Sequence, residues 1–146
     1  MRTRLLAAVA LLLTGYAVGR VSSAPVVAAQ ATSMAGGHVY ELRTYTATEG
    51  KLPNVLARFR DHTRRIFDGH NMKSIGYWTP LEGPTADTTL VYILEHPSRE
   101  EARKNWAAFS ADPEWQKVKA ESEAAGRIVA KAESVFLNPT DFSPLK

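Results

Sequence analysis

The 146-residue chain has no cysteine, so it can form no disulfide framework and offers no thiolate as nucleophile or metal ligand. Its four histidines, His38, His62, His70 and His96, include no pair at the i, i+4 spacing of a helical zinc site. There is no Gly-x-Ser-x-Gly nucleophile elbow and no glycine loop for a phosphate. No acidic residue precedes Glu41, and the only charges before Thr32 are Arg2, Arg4 and Arg20. Arg2 and Arg4 are not adjacent, which excludes a twin-arginine signal, and the absence of cysteine excludes a lipid anchor on sulfur.

What stands at the N-terminus is a short basic opening, Met1-Arg2-Thr3-Arg4, then an apolar run from Leu5 to Val18 broken only by Thr14 and Gly15, then small residues through Val27-Ala28-Ala29-Gln30-Ala31. This is the pattern of a secretory signal peptide. The apolar run is shorter than the ~20 residues that span a bilayer, which weighs against an uncleaved anchor and against a stable membrane span after cleavage. Ala29-Gln30-Ala31 suits cleavage before Thr32 and Val27-Ala28-Ala29 suits cleavage before Gln30, so both bonds stay open. The expected division is a signal peptide over 1–31, a flexible tether over 32–37 and one domain over 38–146, exported to the periplasm or medium. Without the leader's three, 15 of the 18 basic residues remain, against 15 acidic ones. A neutral mature chain gives no global attraction to nucleic acid.

Within the domain, residues 38–46 alternate as a strand. From Leu52 to Phe67 apolar residues recur at helical spacing, with Pro53 in the first turn and Gly69 as the expected C-terminal cap. Residues 73–79 and 88–96 read as strands joined by a turn-rich connector. Ser98 with Glu101, and Asp112 before Pro113, mark two helix starts, and residues 128–137 form the last strand. The order β-α-β-β-α-β is that of an α+β ferredoxin-like domain, an antiparallel sheet with its helices on one face.

Strand periodicity sorts the side chains into two sets. One holds Tyr40, Leu42, Ile75 and Tyr77. The other holds Val39, Glu41, Arg43, Tyr45, Trp78, Val91, Ile93, Glu95, Lys131, Glu133 and Val135, too apolar for solvent and too charged for an ordinary core. The expectation is that this second set lines the face without helices, covered by the sheet of a second subunit across a cavity.

Tyr40-Glu41-Leu42-Arg43-Thr44-Tyr45, Gly76-Tyr77-Trp78, Asp112-Pro113-Glu114-Trp115-Gln116 and the tail Phe142-Ser143-Pro144-Leu145, in that order, resemble the NIPSNAP family over residues 38–146. The resemblance implies the dimeric α+β barrel fold, hence a homodimer, and no agreed activity. Where relatives carry His-Gly, this chain has Gly69-His70-Asn71; asparagine can adopt the positive φ that glycine would.

The candidate ligand-binding residues are Glu41, Arg43, Tyr45, Trp78 and Glu95. Arg43 would bind an anionic or carbonyl group, and the catalytic candidates are Glu41, as a base, and His70, as an acid or base at the cavity mouth. For catalysis, Glu41 and Arg43 read more readily as a salt-bridge ladder at the dimer interface. His62, three residues after Phe59, is expected to turn toward the apolar stripe as a core histidine, and Arg58, Arg60, Arg64 and Arg65 to lie on a solvated helix face. Trp78, Trp106 and Trp115 read more readily as core than as ligand stacking. No metal or cofactor is expected, and haem on one histidine rests on fold analogy alone. Three readings remain: an exported homodimer binding a small organic ligand, a cofactor-free oxygenase, isomerase or lyase, and a non-catalytic interaction module.

Overall fold

A computed structural model describes residues 38–145; the expected leader, tether and cleavage bonds lie outside the described residues. The strands are β1 (Val39–Ala47), β2 (Lys73–Trp78), β3 (Thr89–His96) and β4 (Val129–Leu137). They form one antiparallel sheet in the order β2-β3-β1-β4. Helices α1 (Leu52–Arg58), α2 (Arg64–Gly69), α3 (Arg99–Ala111) and α4 (Pro113–Ser122) complete the expected α+β ferredoxin-like order. Among the described residues no helix is long and apolar enough to cross a membrane.

The helix starts agree with the sequence signals. Pro53 sits in the first turn of α1, Ser98 Oγ accepts from the Glu101 amide at 3.1 Å, and Asp112 Oδ1 accepts from the Glu114 amide at 2.7 Å. The end of α2 differs from expectation. Gly69 is simply its last helical residue, while Asn71 takes φ +55°. The Met72 amide bonds back to the Phe67 carbonyl and the Asn71 amide to that of Asp68. This is a Schellman closure with asparagine in the glycine role.

Between α1 and α2 the chain makes a π turn, Phe59–Thr63, with the Arg64 amide bonded to the Phe59 carbonyl. One extra residue in the turn rotates the rest of the helix by about 100°. Thr63 therefore occupies the buried stripe, and His62, expected in the core, is exposed. Arg58, expected on a solvated face with Arg60, Arg64 and Arg65, is also corrected: those three are exposed, but Arg58 is buried. It pairs with Glu123 at 3.1 Å and stacks on Trp115.

The core lies between the helices and one face of the sheet and is aromatic: Phe59 contacts Tyr45, Phe67, Tyr77 and Tyr92, and Phe109 contacts Phe67, Trp106 and Trp115. Pair register shows which strand residues face it. Glu41, Arg43 and Tyr45 stand opposite Leu94, Tyr92 and Leu90, all three of which are core. Tyr40, Leu42 and Thr44 stand opposite Glu95, Ile93 and Val91. The expected second set is therefore split. Glu41, Arg43 and Tyr45 point toward the helices with Tyr77, while Trp78, Val91, Ile93, Glu95, Lys131, Glu133 and Val135 share the open face with Tyr40 and Leu42.

Candidate functional site

Glu41 is buried at 1% exposure beneath the helix layer, a position a carboxylate holds only if its oxygens are satisfied. Its Oε1 accepts from Arg43 Nη1 at 2.9 Å and Ser134 Oγ at 2.6 Å. Its Oε2 accepts from Trp106 Nε1 at 2.6 Å and bonds His96 Nε2 at 3.0 Å. Burial alone would raise its pKa, but the bonds from His96, Ser134, Trp106 and Arg43 outweigh it and lower the value from 4.5 to about 2. An ionised carboxylate can only accept, so the hydrogen of the shared bond sits on His96 Nε2.

Arg43 lies beside this carboxylate with its guanidinium over Trp106 at 4.3 Å and over Tyr45 at 5.6 Å. Burial disfavours its charge, yet Tyr92, Tyr45 and Glu41 push its pKa up. Nη2 makes a long bond to Tyr45 Oη at 3.4 Å. Three buried side-chain atoms around this network lack a hydrogen-bond partner: Arg43 Nε, Tyr92 Oη and His96 Nδ1. Arg43 and Tyr92 are direct cross-strand partners.

The site opens at one side. Ala132 and Ser134 stand opposite Tyr45 and Arg43 on the helix-facing side of β4, yet both are exposed, so the helix layer stops short of this edge strand. Arg43 keeps 16% of its side chain accessible. Farther along β4, Arg99 at the start of α3 lays its guanidinium over Phe136 at 4.9 Å.

Of the sequence-predicted residues, Glu41, Arg43 and Tyr45 come together here. Trp78 and Glu95 do not. Trp78 is half-exposed on the opposite face, its indole lying across Gly76, where a Cβ would come within 2.6 Å of the ring. Glu95 is bonded there to His38 and Lys73, each at 2.9 Å. His70 Nε2 bonds Asp112 Oδ2 at 2.7 Å, a link from the end of α2 to the cap of α4, and that bond lowers the Asp112 pKa. Neither His70 nor His96 has Nε2 free for a haem iron. Among the described residues no group of His, Asp or Glu is placed to hold a metal ion.

Sequence reasoning missed His96, Trp106, Ser134 and Tyr92. For Trp106 a signal existed, because a core tryptophan needs an acceptor for its indole N–H. The others are joined to Glu41 and Arg43 by strand register, which no local pattern specifies.

The strand order, the crossovers and the single helix layer define a ferredoxin-like α+β domain. The chain belongs to the NIPSNAP family, whose model matches residues 40–144. A NIPSNAP family protein of unknown function from Agrobacterium tumefaciens superposes with TM-score 0.66 and 27% identity over 77% of this chain and 96% of its own. An uncharacterised NIPSNAP domain protein from Burkholderia xenovorans gives 0.62 and 27% over 73% and 98%. A putative antibiotic biosynthesis monooxygenase from Nitrosomonas europaea, 12% identical with TM-score 0.50 over 76% of this chain and 96% of its own, shares the fold alone. No curated protein matches the chain.

Proposed function

We propose that this NIPSNAP domain is exported, pairs with a second copy through the open face of its sheet, and binds a small organic ligand through an oxygen presented to Arg43. The observation that carries the reading is the saturation of Glu41. A carboxylate offers about four lone-pair positions, and all four are taken by donors. With a pKa near 2 it is a fixed counter-charge, and a poor match for a base working near neutrality. Arg43, by contrast, keeps a buried Nε–H without an acceptor, beside a Tyr92 hydroxyl in the same condition. An incoming neutral oxygen, carbonyl or hydroxyl, accepts from both and recovers the desolvation cost of leaving them bare. The ligand then lies between sheet and helices at β4, not between the two subunits. With Glu41 saturated and His70 held by Asp112, ligand binding is favoured over catalysis by either.

The test is native mass spectrometry of protein recovered from its own periplasm or culture fluid. The expected species is a dimer of chains beginning at Gln30 or Thr32, carrying a small molecule. Arg43→Lys keeps the charge but loses the planar fork, and is expected to fold and to lose that molecule. A folded Arg43→Lys protein that retains it would overturn the assignment.

A further inference from the structure

The Arg43 site is electrically balanced on its own, because Glu41 cancels the guanidinium charge at 2.9 Å. The strip of β4 next to it is not balanced. Arg99 and Trp106 are seven residues apart on α3, two helical turns, and so project from one side of that helix. Arg99 covers Phe136, and Trp106 reaches Glu41, the strand partner of Phe136. The two guanidinium groups therefore flank one stretch of the sheet. The carboxylates nearest to Arg99 in sequence, Glu100 and Glu101, are both bonded by Lys104, at 3.1 and 2.8 Å. Glu133 points to the other face and is bonded by Lys131. Arg99, which has no ion pair among the described residues, thus brings an exposed positive charge to a shelf whose floor is apolar at Ala132 and Phe136 and whose back wall is the Trp106 indole over Arg43.

We propose that the ligand of this shelf is an organic carboxylate with a flat apolar body and a second oxygen, its carboxylate ion-paired to Arg99 and its second oxygen accepting from Arg43. The reading rests on Arg43 as the ligand anchor and adds the class of molecule. A carboxylate docked at Arg43 itself would sit against the Glu41 charge; at Arg99 it meets a cation whose neighbours Glu100 and Glu101 are already paired with Lys104. The half-buried ring of Phe136 and the exposed methyl of Ala132 suit an apolar body, and a flat ring gains dispersion contact there at little conformational cost.

The experiment uses the mature protein and a matched pair of probes, 4-hydroxybenzoate and 4-hydroxybenzylamine, which share the ring and hydroxyl and differ in the sign of the charge. In nitrogen-15 NMR spectra, 4-hydroxybenzoate is expected to shift the Trp106 indole and Arg43 Nε signals saturably, with a dissociation constant on the order of 1 mM, and the amine to leave them unmoved. Arg99→Gln, a change at an exposed position, is expected to weaken 4-hydroxybenzoate about tenfold, the effect of losing one charge-assisted hydrogen bond. Equal binding of acid and amine, or full affinity in Arg99→Gln, overturns the carboxylate assignment. If Arg43→Lys still abolishes binding in that case, the Arg43 anchor survives and only the class of ligand is wrong. If neither variant alters binding, both readings fall.

Discussion

Glu41 joins β1, β3, β4 and α3 through one side chain, and its chemistry has a measurable consequence. Its folded pKa, about 2, lies below the ordinary 4.5. A depressed carboxylate contributes stability that is complete above its unfolded pKa and lost as pH falls through the folded one. The window here runs from about pH 4.5 down to 2, and the shift corresponds to about 3 kcal/mol. In Glu41→Gln the titrating group is gone and Arg43 is left without its counter-charge, so the variant should be less stable at neutral pH by roughly 3 to 5 kcal/mol and should show a flatter acid limb. Urea denaturation across the window measures both quantities. Parallel acid limbs in wild type and variant would show that another group governs acid unfolding.

The turn that ends α2 shows how much a single backbone angle decides at the level of an element. Asn71 at φ +55° is the left-handed residue of the closure, and it delivers Met72, fully buried, into the core beside Phe67. Asn71→Gly should leave stability within about 0.5 kcal/mol of wild type, and Asn71→Ala should cost about 1 kcal/mol, because alanine lacks asparagine's tolerance of that region. Thermal unfolding of the three proteins distinguishes them, and an Asn71→Ala protein as stable as Asn71→Gly would refute the closure as the cause. The elements themselves were legible in the sequence because proline and capping residues mark the helix starts and periodicity separates strand from helix. The faces were not. In β1 both alternating sets carry large residues, Tyr40 and Leu42 against Val39 and Tyr45, so hydrophobicity could not choose between them. The charged pair Glu41 and Arg43 then misdirected the choice, since a rule that keeps charge out of a core fails where four donors wait inside it. His62 was misplaced for a different reason: the π turn leaves no mark on a pattern read at 3.6 residues per turn.

At the scale of the molecule, the open face sets the remaining problem. Trp78 and Val135 are 51% and 54% exposed there, with Leu42, Val91 and Ile93 only partly covered between them. No described helix packs on that side, and the polar groups stand toward its margins as closed pairs, Lys73 with Glu95 and Lys131 with Glu133. An apolar centre with a neutralised polar rim is the anatomy of a protein interface. Because the helix-covered side holds the Glu41 network and β4 holds its entrance, a second copy can cover the open face without closing the site. Assembly and ligand binding then become separable. Trp78→Asp places a charge among the exposed apolar groups of this face, at the end of the edge strand β2, and is expected to shift the mature protein from dimer to monomer at micromolar concentration in sedimentation, since the carboxylate would have to be desolvated without a partner. Trp78 is half-exposed within one subunit and contributes little to its core, so the monomer should keep its far-ultraviolet circular dichroism and still bind whatever Arg43 anchors. A wild-type protein that sediments as a monomer at that concentration removes the dimer, and a folded Trp78→Asp monomer that has lost its ligand removes the separation of the two faces.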